Sequence, residues 1–350
     1  MKTLRLIVDP ARLDTAEAQE ALAQAARILL AGGTVALPTE TVYGLGANAL
    51  DPAAVERIFA AKRRPAWDPV IVHICDEAML AGLVANVPDA ALKLIAAFWP
   101  GPLTLLLPRS AAVPDSVTAG RPLVGVRMPA HPVAIELIRR AGVPVAAPSA
   151  NRFGHISPTT AAHVLADLDG RIDAVVDAGP AAHGVESTVL DVTQSPMLIY
   201  RPGGVTAEQI RAVAGAVEMF RAKMPMAAEP REAMPSPGVG LRHYAPKARL
   251  VLIGAPLDSL RQRMTEAATC LSRKERIGVM LPAELTSPVR RADVFVWGRW
   301  SQPEELARNL YVGLRELDAR GCSVILCPMP PAEGVGAAIR DRLIKAGNRD

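Results

Sequence analysis

The sequence predicts an α/β protein in two domains, and three patterns support that expectation. Short β-branched or apolar runs alternate with amphipathic helical stretches along most of the chain. Several of those runs follow one another with no helix between them, which calls for antiparallel neighbours and so for a mixed sheet. Near Gly215 the character changes: Lys223 to Gly240, KMPMAAEPREAMPSPGVG, is rich in Pro, Ala and Met without a period. A second alternating series begins after it.

Taken in order, Asp14-Thr15-Ala16-Glu17 reads as a capping box, with Leu22, Ala25, Ile28 and Leu29 following at helical spacing. Gly32-Gly33 closes that helix, and Thr34 to Leu37 begins a β-branched, apolar strand. Asp51-Pro52 opens a second helix, with proline at the first helical position, running to Lys62. Further helices are expected at Asp89–Phe98, Pro132–Ala141 and Thr160–Ala166. Strands are expected at Val70–Ile74, Leu103–Leu107, Leu123–Arg127, Val143–Ala147, Ala174–Asp177, Ser187–Val192 and Met197–Tyr200. Residues 1–215 therefore form a domain with a twisted mixed sheet flanked by helices, and 216–247 a linker. In 248–350, strands at Leu250–Ile253, Ile277–Leu281, Val294–Val296 and Val324–Leu326 alternate with helices such as Pro303–Arg320. That is a smaller, mostly parallel, Rossmann-like C-terminal α/β domain. Gly334-Val335-Gly336 begins its last helix, but no third glycine completes a dinucleotide fingerprint.

Composition narrows the function classes. Of 350 residues, 50% are hydrophobic and 21% charged, which suits a globular protein. No apolar run is long enough to span a bilayer and no signal segment follows the N-terminal charges, so no membrane is expected. Four cysteines, Cys75, Cys270, Cys322 and Cys327, form neither a CxxC pair nor a disulfide framework, which points to a cytoplasmic location with reduced thiols. The net charge of +4 permits an anionic partner without requiring one, and 4% aromatic residues leave few platforms for stacking nucleic-acid bases. No HExxH, no metal-ligand spacing and no P-loop is present.

The chemistry-bearing residues gather at expected strand ends. Lys62-Arg63-Arg64 closes a helix, either as a solvated terminus whose cations suit the macrodipole or as an anion clamp. Arg127 ends the apolar strand LVGVRMP, where a charge is costly without a partner, and Arg201 does the same in MLIYRPGG. Ser149, Asn151 and Ser157 lie in the loop APSANRFGHISPTT, Ser187 and Thr188 at a strand start, and Thr39 and Thr41 in LPTETVYGLG. Each alone is an ordinary turn or cap residue. Together they place hydroxyls where open α/β sheets bind ligands, so the PTET cluster is expected to hold a small polar molecule beside a nucleotide. His73, inside VIVHIC, is either a satisfied core histidine or a ligand contact.

The ordered motifs PTETVYGLG, KRRPAWDPVIVHI, FWPGPLTLLL, VGVRMPAHP, APSANRFGHISPT, GVESTVLD, RPGG and SPGVGLRHYAP resemble the YrdC-type L-threonylcarbamoyl-AMP synthases, in their long two-domain form. The resemblance covers residues 12–250 by motif and the remainder by size and pattern. It implies a YrdC-like N-terminal domain that makes threonylcarbamoyl-AMP and pyrophosphate from L-threonine, bicarbonate or CO2, and ATP with Mg2+. The product would pass to the tRNA threonylcarbamoyl-transfer machinery. By motif, Thr39, Thr41, His73, Arg127, the Ala147 backbone and Ser187 form the threonine side. Lys62, Arg64, Asp68, Ser149, Asn151, Ser157 and Arg201 form the ATP side, and Arg242, His243 and Tyr244 a lid over it. Lys62, Arg64 and Arg127 would carry the charge stabilisation.

Two positions depart from the family pattern: Asp68 stands where asparagine is common, and Phe153 where serine is usual. A carboxylate beside phosphates is repulsive unless Mg2+ or Arg64 neutralises it. The alternative from another class is a non-catalytic double-stranded RNA binder using a basic concave sheet, with weak RNA contact through the backbone.

Overall fold

The computed structural model describes residues 2–220, 234, 236, 243–271, 274–287 and 289–347; most of the expected linker and Arg242 lie outside the described residues. The chain divides into two compact units. The first comprises 1–153, 157–182 and 186–240, and the second 154–156, 183–185 and 241–350.

The first unit begins with β1 (Leu4–Ile7), α1 (Ala16–Leu30), β2 (Val35–Leu37), β3 (Gly44–Asn48), α2 (Pro52–Lys62), β4 (Ile71–His73), α3 (Glu77–Leu83) and α4 (Asp89–Phe98). It continues through β5 (Leu103–Pro108), α5 (Asp115–Thr118), β6 (Leu123–Arg127), α6 (Pro132–Ala141), β7 (Val145–Ala146) and α7 (Ala161–Leu168). The last elements are β8 (Ala174–Asp177), β9 (Thr188–Asp191), β10 (Met197–Arg201), α8 (Ala207–Ala214) and β11 (Val217–Met219). Its strands order as β1-β8-β2-β3-β7-β4-β6-β5-β9-β10-β11. The sheet is mixed, as expected: β4 and β6 run parallel, while β7 is antiparallel to β4 and β5 to β6.

The central strands read as apolar runs because both faces of the sheet are covered. Alternate side chains go to opposite cores: Val35 and Leu37 join one cluster and Ala36 the other, and Val145 and Ala147 oppose Ala146 in the same way. Leu22, Leu29, Val133 and Leu137 from α1 and α6 cover the first face. Val55, Ile58 and Leu94 from α2 and α4 cover the second.

Local signals set the ends of the helices. At α2 the Asp51 carboxylate accepts from Ala53 N with Pro52 at the first position, as the sequence predicts. At α1 the cap is Thr15 rather than Asp14, and no capping box forms, because the residue three positions on is Ala18, which has no side chain to reach back. Thr206 and Gln209 make the reciprocal pair instead, at the start of α8. The short strands β1, β3 and β11 and the helices α3 and α8 were not expected. β3, GLGAN, has low strand propensity, but a side chain at Gly46 would lie 2.8 Å from both Leu37 and Val145, so glycine is what lets β3 pass between its neighbours.

The second unit contains β12 (Arg249–Ile253), α9 (Leu257–Thr269), β13 (Ile277–Pro282), β14 (Asp293–Gly298), α10 (Pro303–Ala319), β15 (Val324–Pro328) and α11 (Gly336–Gly347). Its four strands pair in parallel, in the order β12-β15-β13-β14. Trp297, fully buried, donates its indole N–H to Leu306 O at 2.7 Å, which ties β14 to α10. Among the described residues, no helix is long and apolar enough to cross a membrane.

Leu22 is fully buried between α1 and the sheet. Leu22→Ala is expected to cost about 3 kcal/mol, read as a lowered guanidinium midpoint for the first unit with an unchanged slope.

Candidate functional site

The segment between β2 and β3 is buried from Pro38 to Tyr43, although it carries two threonines and a glutamate. Thr39 explains how it can be. Its hydroxyl accepts from the amides of Thr41 (3.2 Å) and Val42 (3.3 Å) and donates to Val42 O at 2.6 Å, so it closes the turn on itself. Thr41 Oγ1 lies 2.8 Å from Thr39 Oγ1 and accepts from Arg127 Nη1 at 2.9 Å. The bland reading of a turn residue thus holds for Thr39, and Thr41 faces the cation.

Arg127 is 3% exposed. It donates through Nε to Gly101 O (3.0 Å), through Nη1 to Thr41 and through Nη2 to Glu40 Oε1 (2.5 Å). Burial pushes the Glu40 carboxyl up, but Arg127 and the backbone amides of Glu40 and Ala130 more than reverse this and hold it below the usual carboxylate range. His73 pairs in register with Arg127 across β4 and β6. Burial, and then the Arg127 cation, push its imidazole down to about 3, so the ring is neutral. Its Nδ1 is buried and has no hydrogen-bond partner among the described residues. Ala147 follows β7 and donates its amide to Ile71 O at 2.8 Å.

Lys62 ends α2 at 1% exposure, which overturns its reading as a solvated helix terminus. The next residue, Arg63, turns left-handed and outward, while the Lys62 Nζ donates to the carbonyls of Ser149 and Asn151, each at 2.6 Å. Ser149 thus meets Lys62 through its backbone and not its hydroxyl. Burial, then the Arg64 cation, pull the Lys62 amine well below its usual range, while Asp68 opposes them. Arg64 donates to Asp68 O (3.0 Å) and Pro69 O (2.7 Å), and its Nη2 stands 2.9 Å from Asp68 Oδ2. That last approach is a charge contact rather than an aligned hydrogen bond, since neither Asp68 oxygen has a hydrogen-bond partner among the described residues. Burial raises the Asp68 carboxyl against the pull of Arg64, Lys62 and Arg201. Phe153 lies edge-on to Trp67 and under the Arg64 guanidinium, 5.8 Å from ring centre to cation. Asn151 is buried. The amide of Met234, a described residue of the linker stretch, donates to Trp67 O at 2.9 Å.

Ser187 sits between Thr104 and Arg201. Its hydroxyl lies 2.8 Å from Thr104 Oγ1 on β5 and accepts from Arg201 Nη2 at 3.2 Å, while Arg201 Nε donates to Ser187 O at 3.1 Å. Thr104 lies one step beyond the Leu105–Val126 pair, beside Arg127. Arg201 in turn acts on Asp68. Hydrogen bonds thus join Glu40 and Thr41 to Arg127 and Thr104 and Arg201 to Ser187, and the charges of Arg64, Lys62 and Arg201 bear on Asp68, all within the first unit. Gly203, in RPGG, is required by this arrangement: a side chain there would fall 2.2 Å from Thr188 N and 2.3 Å from Ser187 C, against backbone that cannot yield.

Glu40, Thr104 and Glu186 were missed by the sequence reading. Glu186 accepts from Ser157 Oγ at 2.6 Å and fixes that hydroxyl. The signal for Glu40 was present, as an acid inside a buried hydroxyl cluster. Arg242 lies outside the described residues. His243 and Tyr244 belong to the second unit, where the Tyr244 ring stacks on Tyr311 at 5.8 Å with Arg342 over it at 5.3 Å.

The family model Sua5_yciO_yrdC, described as "Telomere recombination", matches residues 27–203, and Sua5_C, "Threonylcarbamoyl-AMP synthase, C-terminal domain", matches 205–348. The chain belongs to this family. It is 43% identical over 323 residues to the threonylcarbamoyl-AMP synthase of Pyrococcus abyssi, covering 92% of each chain. It is 43% identical over 348 residues to that of Bacillus subtilis, covering 99% of this chain and 98% of the relative. The crystal structure of P. abyssi Sua5 complexed with L-threonine superposes with a TM-score of 0.90 at 41% identity, covering 99% of this chain and 98% of that one. The two-domain form that the motifs implied is thereby borne out.

The buried neutral His73 makes a pH prediction. The unfolded ring takes a proton near 6.5 and the folded ring only near 3, so stability is present above 6.5 and is lost as pH falls below it. By pH 5 the loss from this group is about 2 kcal/mol. His131 is shifted in the same direction, so denaturant melts from pH 7 to 5 should flatten in His73→Gln without becoming level.

Proposed function

We propose that the chain is an L-threonylcarbamoyl-AMP synthase, joining L-threonine, bicarbonate or CO2, and ATP into threonylcarbamoyl-AMP and pyrophosphate for tRNA modification. The observation that carries this reading is the set of buried cations in one unit of a chain 43% identical to named synthases, Arg127 and Arg201 each held by a hydroxyl and Lys62 by two backbone carbonyls. Cations 1–6% exposed suit a small anionic ligand held inside the protein. A double-stranded RNA backbone would need them on a surface, which disfavours the binder.

In this reading the Arg127 side, with Thr41, His73, the Ala147 backbone and Ser187, takes the amino acid. Arg127 pairs with its carboxylate, and Thr39 shapes the turn. The amine carries CO2 as a carbamate, whose oxygen displaces pyrophosphate from the α-phosphorus in line. No enzyme nucleophile is called for, so the residues act by position and charge. Lys62, Arg64 and Arg201 offset the phosphate charge, and Ser149, Asn151 and Ser157 line the nucleotide side. Mg2+ bound with the triphosphate would supply charge neutralisation. Asp68 offers two buried oxygens without aligned donors, the hard-donor type that such an ion accepts. The free cysteines suit a cytoplasmic site of action, and the product would be consumed by the tRNA threonylcarbamoyl-transfer machinery.

Pyrophosphate release from ATP is expected to require both L-threonine and bicarbonate. Arg127→Ala should lower it by roughly 100-fold or more while the far-ultraviolet circular dichroism is unchanged. Double-stranded RNA affinity without turnover would overturn the reading.

A further inference from the structure

The pairings in the site leave one carboxylate oxygen unaccounted for. Glu40 is 6% exposed, and the side-chain hydrogen bond that it accepts, from Arg127, goes to its Oε1. Its Oε2 is buried and has no hydrogen-bond partner among the described residues. A buried carboxylate oxygen left without a donor costs a desolvation penalty that the protein recovers only when something supplies one. Its charge balances the buried Arg127 through Oε1, and that pairing leaves Oε2 unexplained.

We propose that Glu40 is a substrate-binding residue whose Oε2 accepts a hydrogen bond from the α-ammonium of the incoming amino acid. This rests on the reading of the site as the threonine pocket. An amino acid presents a carboxylate and an ammonium on one carbon, opposite charges a few ångströms apart. Arg127 and Glu40 present the opposite charges in contact, 2.5 Å apart, in the same buried pocket. The carboxylate would meet the guanidinium N–H directions that Gly101, Thr41 and Glu40 leave open, and the ammonium would meet Oε2. Arg127 keeps Glu40 ionised, so the acid serves as a fixed counter-charge for the ammonium and not as a proton carrier. The neutral His73 nearby adds no competing positive charge.

The test is titration calorimetry on the full chain without ATP, comparing L-threonine with (R)-3-hydroxybutyrate, which keeps the carboxylate and hydroxyl and lacks the amine. In Glu40→Gln, threonine affinity is expected to fall roughly 10- to 100-fold, the worth of a charge-assisted bond, while affinity for the deamino analogue changes less than about threefold. Glu40→Asp, which keeps the charge at shorter reach, should show the same selectivity with a smaller loss, and decides the matter if Glu40→Gln does not fold. Parallel losses for both ligands would mean that Glu40 only aligns Arg127, and would overturn the proposal, as would an unchanged threonine affinity. Failure of the unsubstituted chain to bind threonine at all would instead overturn the functional reading beneath it.

Discussion

Arg127 is the constraint around which the first unit's site is arranged. A guanidinium at the end of an apolar strand must find its counter-charge and acceptors inside the protein, because water does not reach it. Glu40, Thr41 and the Gly101 carbonyl supply them, from two different connections. The cation therefore fixes the path of the β2–β3 segment and of the turn before β5. Removing either member of such a pair leaves a buried charge uncompensated, which is why the pair constrains far more than its own strength would suggest.

Lys62 follows the same logic at the end of α2. Its helix ends at Arg63 in a left-handed residue, which sends Arg63 outward and leaves Lys62 turned in against two carbonyls. Those carbonyls belong to the loop after β7, so the end of α2 and that loop are positioned together. Asp68 sits among Arg64, Lys62 and Arg201, and that surplus of positive charge is what a triphosphate would balance. The departure from asparagine at this position is thus absorbed by a neighbouring arginine 2.9 Å away. Phe153, the other departure, trades a hydroxyl for an aromatic face under Arg64.

Ser187 ties β5 to the end of β10. Its hydroxyl meets Thr104 and Arg201 together, and the glycine of RPGG allows the β10 turn to approach closely enough for that contact. A site assembled from strand ends in this way needs no nucleophile–base pair, and the reaction it serves asks for none.

What the chain determined by itself was periodicity and punctuation. The alternating apolar runs, the Asp51-Pro52 start and the helical stretch from Pro303 became β-strands, α2 and α10 because those signals act over a few residues and are not overridden. Arg127 and Arg201 could be singled out from sequence, since a charge closing an apolar strand demands a partner wherever it occurs. Which partner was decided only in three dimensions. Glu40 is 87 residues from Arg127, and Thr104 is 83 from Ser187. β3 became a strand against its glycine-rich composition because its neighbours leave no room for a side chain at Gly46. Lys62 turned from an ordinary helix-end cation into a buried clamp because a loop nearly ninety residues later brings its carbonyls there. Local propensity and pattern fix the elements, whereas long-range packing in a low-dielectric interior selects which charges and hydroxyls meet.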